Sequence, residues 1–188
     1  MSDQDSLHRR GMALEDEFFR RVDEKLGEDL RRKLKRDKDR ERLAAATIFK
    51  DDELLDHLLD AGLDASTMAA FSLVPLLFVA WADGTVTVKE RQLLLSEALH
   101  RGIKEQPRAF ALLENWLHHR PPNSLWNLWL EYATAVKTHV NPQLGVILGD
   151  SIVYSAMKIA DASRSGLIHR KVSKAEQAVI DEIRATVY

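Results

Sequence analysis

The sequence predicts an all-α protein: a single-domain bundle of about seven helices over residues 48–188, carrying an internal helical-hairpin repeat and preceded by a long amphipathic helix within residues 1–47. Three observations carry that expectation. Eight glycines and five prolines are spread thinly over 188 residues. No stretch alternates apolar and polar residues with period two, and the strong helix formers Ala, Leu, Glu, Lys and Arg dominate. With 45% apolar against 30% charged residues, the chain has the means to bury a core and lacks the signature of disorder.

The first predicted helix spans 12–46. Leu14, Phe18, Val22, Leu26, Leu30 and Leu34 recur every fourth residue and form a stripe that winds slowly around it. Asp16/Arg20, Glu17/Arg21, Glu28/Arg32 and Asp29/Lys33 each set an acid four residues before a base, an arrangement worth about 0.2–0.5 kcal/mol per pair. Residues 12–30 are net acidic, whereas 31–42 hold eight bases against three acids, which suits the helix dipole. A second helix is expected over 51–61, opened by Asp51, Asp52 and Glu53 and stopped by Gly62. A third over 66–82 contains Pro75, which should kink it. It is also the longest apolar run, but Ser72 and Pro75 interrupt it and it falls short of the roughly 20 residues of a membrane span. Thr87 to Glu90 form a capping box that opens a fourth helix ending near Gly102. Helices over 107–119 and 124–139 follow, then one over 142–162 begun by Asn141-Pro142. A second capping box, Ser173 with Glu176, opens the last.

Two stretches share one plan. In the first, Val79-Ala80-Trp81-Ala82 leads through Asp83-Gly84-Thr85 to Val86-Thr87-Val88-Lys89-Glu90. In the second, Ile159-Ala160-Asp161-Ala162 leads through a longer turn to Val172-Ser173-Lys174-Ala175-Glu176. Small alanines permit close helix approach, a valine staples the start of the next helix, and the Ser/Thr–Glu pair satisfies orphan N–H groups. On these residues the chain resembles the TerB-like (tellurite-resistance TerB) helical family over about 66–188. The resemblance implies an all-helical module with pseudo-twofold character, an acidic surface associated with divalent metal, and roles in stress-linked or membrane-linked complexes.

Composition removes several function classes. A net charge of −2 gives no global attraction to nucleic acid or to a membrane surface. The absence of cysteine excludes disulfides, thiol nucleophiles and thiolate zinc sites, and it fits a cytoplasmic setting. The acidic, polar start Met1-Ser2-Asp3-Gln4-Asp5 lacks the pattern of a secretory signal. No P-loop, GxGxxG, GxSxG or HExxH occurs, so a non-catalytic interaction or regulatory module is expected, with a small hydrolase-like enzyme as the alternative.

Candidate sites are few, and each has a structural alternative. Asp83 and Glu90, with Asp161, are candidate ligands of Ca²⁺ or another hard divalent cation; otherwise Glu90 only caps and Asp83 only turns. The second turn places Asp161, Ser163 and Ser165 at EF-hand positions one, three and five and Gly166 at six. Val172, however, stands where the bidentate glutamate is required. Arg31, Arg32, Lys35 and Arg36 are candidate partner contacts, or simply a solvated helix face; without interleaved aromatics they make a poor nucleic-acid site. Trp126 and Trp129 are three residues apart and form either core packing or an aromatic partner anchor. His118-His119 diverge by about 100° on a helix and make no metal pair. The first helix is the expected surface for a protein partner or self-association, its opposite-charged halves favouring an antiparallel pair. Peripheral association with a membrane complex is compatible with the absence of a spanning segment.

Overall fold

The structure, a computed structural model, describes residues 3–47, 51–162 and 172–188. Every regular element among them is an α-helix, as expected. The helices are α1 (Asp3–Ala46), α2 (Asp52–Asp60), α3 (Met68–Phe71), α4 (Val74–Ala80) and α5 (Val88–His100), then α6 (Pro107–His118), α7 (Asn123–His139), α8 (Pro142–Ala162) and α9 (Lys174–Val187). No helix among the described residues is long and apolar enough to cross a membrane. Two compact units emerge, Met1–Glu41 and Arg42–Tyr188. The boundary falls just before Leu43, which is fully buried in the core of the second unit.

In the first unit α1 begins at Asp3, earlier than the apolar stripe alone suggested, because a helix propagates through polar residues once nucleated. Ion pairs along it are local: Glu17 with Arg21 at 2.5 Å, Asp29 with Arg32, and Asp37 with Arg40 at 3.7 Å. Arg32 thus pairs three residues back and not with Glu28, four back, as the spacing suggested.

The second unit is built from capped helices around one hydrophobic cluster. Asp51 caps α2, its Oδ1 accepting from the Glu53 and Leu54 amides at 3.0 and 3.2 Å. Gly62, at φ 78°, supplies the left-handed residue that stops the helix. Asp64 then pins the following loop, accepting from the Ser66 amide at 2.9 Å and pairing with Arg108 of α6 at 2.8 Å.

The single kinked helix expected over 66–82 is instead two helices, α3 and α4, separated at Ser72-Leu73. The Ser72 hydroxyl donates to the Ala69 carbonyl at 2.7 Å, and the Leu73 amide reaches only back to Ala70, tightening the end of α3. Pro75 consequently stands in the first turn of α4, where its missing N–H costs no intrahelical bond. All seven residues of α4 are buried. This helix packs against α5, α7, α8 and α9, while α8 also packs against α5 and α9, so the two hairpins α4–α5 and α8–α9 share one interior. Phe71 meets Tyr132 edge-on at 5.4 Å, and Phe78, Trp126 and Trp129 stack in sequence across the core.

Candidate functional site

Both predicted hinge clasps form as complete capping boxes. The Thr87 amide and hydroxyl each donate to Glu90 Oε2 at 2.7 Å, and the Glu90 amide donates to Thr87 Oγ1 at 3.3 Å. At the second hinge the Ser173 amide donates to Glu176 Oε2 at 2.7 Å and the Glu176 amide to Ser173 Oγ at 3.1 Å. Val86 and Val172 pack against the shared core. They do not form the intrahelical staple expected, since the positions four residues into the two helices are Arg91 and Gln177.

Both box glutamates are buried, at 1% and 2% exposure, which is unusual for a capping acid. Burial pushes the Glu90 carboxyl above its ordinary value against the lowering effect of the Thr87 hydrogen bonds, and the Asp83 and Glu176 carboxylates push it further the same way. Glu90 thus lies within electrostatic reach of Asp83 in its own turn and of Glu176 at the other clasp. Sequence reasoning singled out Asp83 and Glu90 but treated Glu176 only as a cap. The repeat itself was the signal, because its two capping glutamates open helices, α5 and α9, that both pack against α4 and α8.

The fit of a hard cation to these residues is poor. Such an ion requires six to eight oxygens. Glu90 Oε2 is already engaged by two donors, and Asp83 Oδ1 accepts from the Thr85 amide at 3.1 Å to form the turn. Asp161 lies exposed in the last turn of α8. Among the described residues no group of three or more His, Asp or Glu could hold a metal. Residues 163–171, with Ser163, Ser165 and Gly166 of the EF-hand register, lie outside the described residues. Val172 turns its side chain into the core.

The two tryptophans belong to the core and not to an exposed anchor. Trp126 is 8% and Trp129 3% exposed; their rings stack at 5.2 Å, and Trp126 Nε1 donates to Glu182 Oε2 at 3.1 Å. A helix that must bury its Leu125/Leu128 face takes these neighbouring indoles with it. Arg31, Arg32 and Lys35 do stand exposed on α1, Arg36 less so. Near the Pro121-Pro122 turn, Arg91 ties α5 to α6 by donating to the Leu117 carbonyl at 2.9 Å, and its guanidinium lies 3.1 Å from His118 Nε2. His118 and His119 are absorbed in such local bonds.

A surface contact that the sequence did not disclose joins α2 to α7. His57 Nδ1 lies 3.0 Å from Glu131 Oε1, and this hydrogen bond, with the carboxylate's charge, raises the imidazole above its ordinary value. The partners are 74 positions apart, so no local pattern could pair them. No protein-family model, curated protein or solved structure matches the chain.

Proposed function

We propose that the chain is a non-catalytic interaction module of the TerB-like kind, with α1 as its partner arm and a second copy of the same helix as the partner. The observation that carries this reading is the row Phe18, Val22, Leu26, Leu30 and Leu34, each 44–65% exposed, on a helix with no buried side chain between Glu17 and Arg42. Burying one such side chain is worth about 1.5–3 kcal/mol, so an uncovered row of five is a strong drive to associate. Its spacing also sets the geometry. Residues four apart advance by about 40° around the helix, so a partner helix covers the middle of the row, around Leu26 and Leu30, most fully. Antiparallel crossing places the acidic half of one copy beside the basic half containing Arg31, Arg32, Lys35 and Arg36 of the other.

Light scattering on the full chain and on the double variant Leu26→Glu, Leu30→Glu tests the proposal. A dimer for the first and a monomer of unchanged Tm for the second are expected. A wild-type chain that stays monomeric at the highest attainable concentration overturns it. A divalent-cation response of the sort the resemblance implies has only the Asp83–Glu90 neighbourhood in its support. Millimolar Ca²⁺ that shifts neither the Tm nor the resonances of these two residues removes it.

A further inference from the structure

A cleft of about 220 Å³ opens in the second unit between α7 and α8. One face of α7 lines it with Trp129, Ala133 and Val136, and α8 contributes Leu148 and Ile152. These spacings of three and four keep each set on one side of its helix. None of the lining residues is acidic, while two of them, Arg101 and Lys137, are cationic. Arg101 has only a loose pair, its Nε 3.9 Å from Glu97 Oε2, and Glu97 is not part of the lining. The other polar side chains of the lining, Ser72, Tyr132 and Ser151, are uncharged hydroxyls, and that of Ser72 is engaged by the Ala69 carbonyl, so the two cations are the strongest polar features.

The cleft is continuous with an uncovered apolar flank. Residues 142–149, the first two turns of α8, carry no charge, and there Leu144, Ile147 and Leu148 are 47%, 63% and 41% exposed. Leu148 is both cleft wall and surface, so a hydrocarbon lying in the cleft would shelter it from water.

We propose that this cleft binds a small amphiphilic carboxylate, a medium-chain fatty acid, with its chain between α7 and α8 and its head group held by Arg101 and Lys137. Each element of the lining selects one property of the ligand. The apolar walls select hydrocarbon. Two cations without an acid select an anion over a neutral or cationic head. The volume selects a single short chain, since an apolar cavity of about 150 Å³ already accepts benzene. The site is independent of the α1 row, so failure of self-association leaves it standing.

Titration of the full-length chain with decanoate below its micellar concentration tests the proposal, followed by Trp fluorescence and by the methyl resonances of Val136 and Ile152. Decanol and decyltrimethylammonium serve as neutral and cationic probes. Saturable binding that favours decanoate over both is expected. Lys137→Glu, at an exposed position, should weaken decanoate about tenfold and leave decanol nearly unchanged. Ala133→Leu should fill the cleft and abolish binding of both. Absence of a saturable shift at Val136 and Ile152, equal affinity for the three head groups, or undiminished binding by Ala133→Leu would each overturn the proposal. So would an Ala133→Leu chain that loses a dimer present in the wild type while decanoate never binds, because a second copy would then be the occupant.

Discussion

From Glu17 to Arg42 no residue of α1 is fully buried, whereas α4 buries all seven of its residues. The two helices are stable for opposite reasons. A seven-residue segment containing two valines and a proline cannot hold a helix in water, so α4 exists because α5, α7, α8 and α9 surround it. By contrast α1 has 44 residues, favourable propensity and a ladder of acid–base pairs, and it needs no packing partner to be helical. Apolar residues therefore mean different things in the two places. In α4 they are the fold, and from Phe18 to Leu34 of α1 they are an exposed surface.

The largest expected effect exploits that contrast. Leu77→Ala, at a fully buried position of α4, should cost about 2–5 kcal/mol in urea unfolding, while Leu30→Ala in α1 should stay within about 0.5 kcal/mol for the monomer. Comparable losses at the two sites would mean that α1 is a core element after all.

Next come the hinges. Thr87→Ala and Ser173→Ala each remove the side-chain acceptor of a capping box and should each cost roughly 1 kcal/mol. Equal losses would show that the long and short turns rely on their clasps alike, and a loss confined to one hinge would break the symmetry of the repeat.

The pH dependence of Glu90 sharpens the point further. Its carboxyl binds a proton more readily in the folded chain than at the ordinary value of 4.5, so the folded state holds more protons across that interval. This contribution to stability is complete below 4.5 and is lost as pH rises through the folded value. The stability of the wild type relative to Glu90→Gln should accordingly fall between pH 4.5 and neutrality, measured as the difference in urea midpoints. A difference that grows with pH would place the folded carboxyl below 4.5 and contradict its burial beside Asp83 and Glu176.

The smallest effect belongs to α1. Its exposed pairs contribute about 0.2–0.5 kcal/mol each, and molar salt should trim the helicity of this segment slightly, read by far-ultraviolet circular dichroism. A large loss of helicity would mean that the exposed pairs carry far more of this helix than their solvation allows.

Much of this was legible in the residues. Asp51, Thr87, Asn141 and Ser173 marked four helix starts, because capping acts over two or three residues of chain and needs no tertiary partner. The every-fourth-residue row on α1 was an equally local pattern. Pro75 was misread because its meaning depends on whether a helix runs through it or begins at it, and Ser72 decided that.

Sequence by itself thus determined the helical class, the two clasped hinges and the ridge on α1, since hydrogen-bond capping and hydrophobic periodicity operate over a turn or two of chain. Only the tertiary structure decided that Trp126 and Trp129 face inward, that His57 finds Glu131, that Glu90 lies near Glu176, and that α7 and α8 leave a cleft lined with Arg101 and Lys137. Those outcomes depend on how helix faces distant in sequence meet, and packing, which sets them, is a property of the whole bundle and not of any one segment.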